Sequence, residues 1–313
     1  MSNSNRPNSR PSGPRPPHGG KSHGAPVGGG RPAFGRAPIP PKPPLRLMTT
    51  TLWEYPSQHY DAWVDEDGSI HKYGEGLEAA KREQRAAPDK HAPTPAPKAA
   101  FAVQGDQAYA GATPSWVIWQ CLMRYTRPGD LVVDPFCGSG TTLDVARDIG
   151  RRALGYDLAP TRPDIFRADA RKLPLEDAKA DFIFFDPPYS THITYSDDPK
   201  CIGKLDSGGA DAGAAYYDAM SRSIAEIHRV LKDRRYAALY VSDSWRKSSK
   251  PQPFSPIGFE LFALLRRHFK PVDIITVVRR NQKLARGNWH KAAEEGNFFL
   301  RGFNYLFIVK KEA

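Results

Sequence analysis

Three acids stand where a ligand could use them: Asp134, Asp157 and Asp169 each close a short apolar run. Between the first two lies "DPFCGSGTT" (134 to 142), where a strand-like stretch gives way to Gly138 and Gly140 and then to a helix-like one. Glycines let a backbone turn through positive φ and approach a ligand closely. The run lacks the full G-x-G-x-x-G dinucleotide fingerprint and the Lys-Ser/Thr ending of a phosphate-gripping loop. Two readings therefore stand, a nucleotide-like ligand and a structural tight turn. Asp157 follows Gly138 by 19 residues, at the end of the next strand, where a carboxylate can take both ribose hydroxyls of an adenosine. Asp169, after a third strand, is placed to accept a hydrogen bond from an adenine amino group. Alone, each acid is an ordinary solvated strand end; three in succession favour the ligand. A fourth acid, Asp186, opens "DPPY" after the apolar "DFIFF". Asp-Pro by itself needs no reason beyond chain reversal.

The elements that must position these groups follow from periodicity. "TPSWVIWQCLMRY" begins with Thr113 placed to cap a helix and Pro114 at its first position, and Trp116, Trp119 and Met123 then recur on one side. "DLVVDPF" (130 to 136), "RRALGYDL", "DIFRADA" and "DFIFFDPPY" read as four strands, with a helix after the Gly-rich turn that stops at Gly150. Residues 214 to 231 form an amphipathic helix on Tyr217, Met220, Ile224, Ile227 and Leu231. "YAALYVSD" is a fifth strand and "GFELFALLRRHF" another helix; "VDIITVV" and "YLFIVKK" are two strands joined by a long basic loop. This alternation predicts an α/β fold, a doubly wound, mostly parallel sheet ending in an antiparallel hairpin. Ligands of such sheets sit beyond the carboxyl ends of the strands, near the switch point.

A chain of 313 residues holds one sizeable domain with appendages. Its net charge of +11 is uneven, because residues 1 to 48 contain eight Lys/Arg and no acid. The same stretch has twelve prolines and eight glycines and cannot bury enough apolar surface to offset its ordering entropy. It is read as a disordered basic tail, able to touch nucleic acid without sequence preference, or as a solubility tail or an overextended start ahead of Met48. Residues 49 to 104 are read as an N-terminal extension and linker: an aromatic segment, a solvated helix from 77, then an Ala/Pro spacer. Residues 105 to 313 are the main domain. Cys121, Cys137 and Cys201 lack metal-ligand spacing, and no His/Cys cluster points to a metal. The cysteine usage and the want of a membrane-spanning run or signal peptide imply a cytoplasmic protein with no membrane partner.

"DPFCGSGTT" followed 52 residues later by "DPPY" resembles the S-adenosylmethionine-dependent methyltransferases that modify exocyclic amino groups of DNA bases, adenine N6 or cytosine N4. The resemblance runs from about residue 105 to 311 and includes "RADARKLPLEDAKADFIFFDPPY" and the final "FNYLFIVKK". It implies a Rossmann-like class I methyltransferase fold, with S-adenosylmethionine held by Thr113, Asp134, Pro135, Phe136, Gly138, Gly140, Thr141, Asp157 and Asp169. It implies catalysis by Asp186, Pro187, Pro188 and Tyr189. An aromatic amino group is a poor nucleophile because its lone pair is delocalised. The Asp186 carboxylate and the Pro187 carbonyl can each accept one amino hydrogen, favouring a pyramidal nitrogen in line with the methyl donor. Pro187 and Pro188 fix φ, and Tyr189 would stack on a base taken out of the duplex. Cytosine-C5 chemistry fits worse, since Cys137 follows Phe136 rather than proline.

The Gly-rich loop precedes the tetrapeptide, and only 124 residues follow Tyr189, most of them needed to finish the sheet. Recognition must then come from loops or the N-terminal segment. Residues 190 to 213 suit a mobile lid, with His192 near the substrate or simply solvated. Residues 279 to 302 place Arg279, Arg280, Lys283 and Arg286 around Trp289, which suits backbone neutralisation and base stacking. A solvated hairpin loop with a core-packing Trp is the plainer reading, and Trp245 shares that ambiguity. DNA is the expected partner, with the protein nucleoid-associated and adenine N6 ahead of cytosine N4 because the tetrapeptide opens on Asp. The alternatives are an RNA base methyltransferase, such as the guanine-N2 enzymes of tRNA, and a catalytically silent nucleic-acid-binding protein. Target sequence, oligomeric state and any restriction partner stay open.

Overall fold

Strands that must hide both faces read as unbroken apolar runs, and the central strands of this protein do. The computed structural model describes residues 42–74, 103–106, 108–209, 211–245, 254–279, 284 and 286–313. All of them lie within one compact unit, Lys42–Ala313. The expectations for residues 1–41, for the helix and spacer at 77–100, and for Arg280 and Lys283 fall outside the described residues.

In chain order, β1 (Leu52–Trp53), β2 (Ala62–Val64) and β3 (Ile70–Lys72) precede helix α1 (Ser115–Tyr125). Then come β4 (Leu131–Asp134), α2 (Thr141–Asp148), β5 (Arg152–Asp157), β6 (Ile165–Arg167) and β7 (Ala180–Phe185). Helix α3 (Ala214–Val230), β8 (Leu231–Val241), β9 (Ser244–Trp245), β10 (Phe254–Ser255) and α4 (Ile257–Leu265) follow. The chain closes with β11 (Lys270–Val278), α5 (Gly287–Glu295) and β12 (Phe303–Lys310).

Eight strands form one sheet in the order β1-β11-β12-β8-β7-β4-β5-β6. From β8 to β6 all neighbours are parallel, whereas β12 runs antiparallel to both β8 and β11. The chain winds outward from β4 to β6 and then returns to β7 on the other side of β4. The order therefore reverses between β4 and β7, which is where such a sheet binds ligands. Asp134 ends β4 and Asp186 lies one residue past β7, so the sheet brings the two motifs to one crevice. This is the doubly wound sheet with a C-terminal antiparallel hairpin that the periodicity predicts.

Alternation along the strands divides the core into two layers. Leu131, Val133, Ile183, Phe185, Ala237 and Leu239 face α3 and α4. Val132, Phe182, Phe184 and Ala238 face the other way, toward α1, α2 and the N-terminal segment. In that second layer Trp53, Tyr55, Tyr60 and Trp63 pack with Trp116 and Trp119 of α1, so the aromatic segment completes the core. The Tyr60 hydroxyl donates to Asp148 of α2 at 2.9 Å. Residues 42–48, assigned above to the tail, belong to this layer: Leu45 is buried and exchanges backbone hydrogen bonds with Ala62 and Val64 at 2.8 Å.

Two local expectations need correction. Thr113 does not cap α1, whose cap residue is Pro114 with no side-chain cap bond. The basic loop at 279–302 is not all loop, since it contains α5, a helix with no buried residue. Among the described residues no helix is long and apolar enough to cross a membrane.

Candidate functional site

The crevice at the switch point holds a cavity whose wall includes Asp134, Pro135, Phe136, Gly138, Thr141, Asp157, Asp169 and Thr113. Asp134 folds the loop back on its strand, accepting the Phe136 N–H at 3.0 Å and the Thr142 hydroxyl at 2.5 Å. Burial pushes its carboxyl up to about 7, against the pull of those two bonds. Gly138 takes a left-handed φ of 50°, and a Cβ there would stand 3.0 Å from the Tyr109 ring. Its N–H donates to Asp157 Oδ2 at 2.9 Å, while Ala159 N–H occupies Oδ1 at 2.9 Å. Burial raises the Asp157 pKa and these N–H groups restrain the rise. Asp169 lies in the wall with its carboxylate already forked by the Arg171 guanidinium at 2.8 and 2.7 Å.

Gly140 has a different task. It is not among the residues lining the cavity; its φ is 82°, and a Cβ would meet the Arg162 guanidinium at 2.6 Å. Arg162 lies behind the loop and bridges two buried acids, Asp144 at 2.8 Å and Asp164 at 2.7 Å. The left-handed φ and this close approach each require glycine at 140.

Asp186 lines the same cavity. Its Oδ2 accepts the Thr113 hydroxyl and its Oδ1 the Tyr189 hydroxyl, both at 2.5 Å. Burial pushes this carboxyl up to about 7, the two hydroxyls hold it down, and neighbouring Asp134 adds repulsion. Each oxygen keeps a second lone pair for a further donor. Pro188 lines the same cavity, whereas buried Pro187 is not among the lining residues of either cavity at the site.

A second cavity shares Gly111, Ala112 and Asp186 with the first. Its wall includes Tyr189, Tyr240, Trp116, Tyr55, Gln58, Arg279 and Asn304. Two chambers thus meet at one buried carboxylate, each with its own chemistry. The first carries four acids, Asp134, Asp157, Asp169 and Asp186, against one lysine, Lys200; the second carries aromatic faces and a guanidinium.

Of the residues expected at a substrate, Arg279 alone among those described lines the second cavity. His192 pairs instead with the Ser244 hydroxyl at 2.5 Å. Trp245 stacks on Phe298 with centroids 4.0 Å apart, which is packing. Arg286, which precedes α5, and Trp289, on it, are exposed. From the stretch expected to be a lid, Tyr195, Ser196, Lys200, Cys201 and Ile202 instead form part of the wall of the first cavity, and Cys201 and Ile202 are buried. Tyr109 and Tyr195 both line that cavity and pack as a tilted pair with centroids 6.4 Å apart. Sequence reasoning missed this aromatic pair, and also Tyr240 and Asn304, because nothing in the local pattern marks them.

The family model described as DNA methylase, N6_N4_Mtase, matches residues 49–167, the segment that carries the Gly-rich loop, Asp134 and Asp157. The type II methyltransferase M.Cfr9I of Citrobacter freundii is 40% identical over 58 residues, covering 18% of this chain and 19% of its own length. M.HinfI of Haemophilus influenzae is 29% identical over 70 residues, 22% of this chain and 20% of its own length. The chain thus spans about a fifth of the length of these curated relatives. The crystal structure of TrmN from Thermus thermophilus superposes with a TM-score of 0.41 at 19% identity, covering 64% of this chain and 50% of that one. A score of that size adds nothing to the strand order given above. Over the loop and its two acids, in a sheet of this topology, the chain is similar to the N6/N4 DNA methylase family.

Proposed function

We propose that the protein transfers the methyl group of S-adenosylmethionine to an exocyclic amino group of a DNA base. The observation that carries this reading is the meeting of two unlike cavities at Asp186. The first suits the cofactor, because four carboxylates face a space that a ligand bearing an ammonium and a sulfonium would fill. When bound, the cofactor supplies an electrophilic methyl group. Asp157, at the end of β5, is the group placed to hold its ribose hydroxyls. Asp134 and the turn at Gly138 shape the loop beneath it.

The chain's own residues act mainly on the base. Asp186 accepts an amino hydrogen and so draws the nitrogen toward pyramidal geometry, freeing its lone pair. The nitrogen must shed one hydrogen as it gains the methyl group, and a carboxylate with a pKa near 7 is suited to take it. Tyr189 and Tyr240 offer aromatic faces to a base lifted from the stack. The domain that does this is larger than 105–313, since Tyr55 and Gln58 help to wall the base cavity. The reading keeps adenine N6 ahead of cytosine N4 on the strength of the Asp at 186.

Incubation with methyl-labelled S-adenosylmethionine and duplex DNA, single-stranded DNA, tRNA or protein, followed by nucleoside analysis, tests the proposal. Label is expected in DNA as an amino-methylated base; label confined to tRNA overturns it. Asp157→Ala is expected to weaken cofactor binding about 10- to 100-fold, the loss of one or two charge-assisted bonds. Its kcat at saturating cofactor should stay near wild type. A variant that binds cofactor normally but turns over slowly would contradict the assignment of Asp157.

A further inference from the structure

Two tyrosines of the first cavity have no part in the roles given so far. Tyr109 comes from the segment before α1 and Tyr195 from the segment after the tetrapeptide, and their rings pack together. What each ring approaches locates the pair. A Cβ on Gly138 would stand 3.0 Å from Tyr109 Cε1, so this ring lies against the turn whose N–H is held by Asp157. A Cβ on Gly111 would stand 3.0 Å from the Tyr195 hydroxyl, and Gly111 lines both cavities. A Cβ on Gly203 would meet Tyr195 Cδ2 at 3.1 Å and Pro188 Cβ at 3.3 Å. The pair thus runs from the Gly138 turn to the place where the two cavities join. Burial raises the pKa of both phenols, and Asp157 and Asp186 each add to the rise, which fits rings set near both acids.

Resting on the function proposed above, we propose that Tyr109 and Tyr195 bind the sulfonium centre of S-adenosylmethionine through their ring faces. The sulfur of that cofactor joins the ribose to the methyl group. With the ribose at Asp157 and the methyl acceptor at Asp186, the sulfur belongs on the stretch that this pair lines. Aliphatic side chains would close the wall equally well. An aromatic face adds a negative quadrupole, which attracts a cation and gives little to a neutral sulfur. In the transfer the sulfur–methyl bond breaks with its electron pair left on sulfur, the nitrogen–methyl bond forms, and the nitrogen loses a proton. The sulfur is then a neutral thioether, and the rings lose the charge they held. The pair therefore favours the charged donor over the spent product, a discrimination that the four distant-acting acids of the cavity share but do not confine to the sulfur.

Calorimetric titration of the full-length protein with S-adenosylmethionine and with S-adenosylhomocysteine tests this. Tyr109→Leu and Tyr195→Leu should each weaken S-adenosylmethionine binding by about 5- to 30-fold, the range for a lost cation–π contact. S-adenosylhomocysteine should weaken far less in the same variants, because leucine keeps the apolar wall. Tyr109→Phe and Tyr195→Phe keep the face and should keep the preference for the charged ligand. Tyr195→Phe carrying one, two or three ring fluorines keeps the shape, and so the fold, while depleting the π face. Affinity for S-adenosylmethionine should then fall with each fluorine, and affinity for S-adenosylhomocysteine should not. Equal weakening of both ligands in the leucine variants overturns the proposal, as does a flat fluorine series. So does a preference lost in the phenylalanine variants, which would assign the contact to the hydroxyls. Wild-type protein that binds neither ligand overturns the proposed function and this inference together. Wild type that binds both, with a preference the leucine variants retain, overturns this inference alone.

Discussion

Asp186→Ala is expected to lower kcat by about 1,000-fold, the scale seen when a preorganised group at the reacting centre is removed. Cofactor affinity should fall less than kcat, because Asp157 and the Gly138 turn, the groups proposed to hold the cofactor, are untouched. Asp186→Asn keeps one acceptor oxygen but loses the charge, so it should retain more activity, with a loss of about 2 kcal/mol or roughly 30-fold. The two variants also separate charge from shape through pH. Ionised Asp186 is the better acceptor, so kcat/KM of the wild type should rise with pH and level off above about 7. Asp134 has a carboxyl raised to about the same value, which makes Asn at 186 the deciding control. If the inflection persists in Asp186→Asn, Asp134 is its source and Asp186 is not the titrating acceptor.

The same raised pKa carries a stability consequence of definite sign. A carboxyl whose folded pKa exceeds its unfolded one adds stability that is whole below about 4 and is lost as pH rises through about 7. Ionised Asp186 is thus held at a cost to the fold, and Asp186→Asn should melt higher than wild type at pH 8 by more than at pH 5. A variant less active yet more stable is the signature of a group kept for chemistry. Equal melting points at both pH values would mean the carboxyl is already well solvated.

What could be read from the chain, and what could not, follows from the range of each interaction. Periodicity is local, so β4, β5, β7 and α3 were legible, and with them the switch point. The acids at strand ends were legible because topology alone carries them to one crevice. Thr113 was not. Its sequence context, just ahead of Pro114 and a helix, fits a cap, whereas its hydroxyl is spent on Asp186, 73 residues away. Asn304 sits between aromatic residues of β12, and no local pattern marks that it lines a cavity. The helix at Gly287–Glu295 was missed for another reason. It buries nothing, so it lacks the apolar stripe by which a helix is recognised. Gly140 was assigned to the cofactor together with Gly138 by the family resemblance, whereas what a Cβ there would meet is a side chain from beyond the next strand.

That side chain, Arg162, should matter to stability more than any residue in the cavity wall. Asp144 and Asp164 have side chains only 2% and 1% exposed, and Arg162 engages both. Burial works against its own charge, but the bonds to Asp144 and Asp164 more than offset that and raise its pKa. Asp144 in turn accepts the Gly105 N–H at 2.8 Å, tying the segment before α1 to the loop. Arg162→Met leaves both acids without their main counterion, a change that typically costs about 3–5 kcal/mol. For a domain of this size that is a fall in Tm of roughly 10 °C. Arg147 still reaches Asp164 at 2.8 Å, so Asp144 is the acid left most exposed to the loss. Asp144→Asn in the Arg162→Met background should therefore recover part of the deficit, though either change alone destabilises. The gap between wild type and Arg162→Met should also narrow in acid. The Asp164 carboxyl resists burial through its bonds to Arg162 and Arg147 and is held below its usual pKa. Its contribution is therefore present above about 4 and lost as pH falls further. A gap that stays constant from pH 7 to pH 3 would show that Arg162 acts through its packing behind Gly140 and not through its charge.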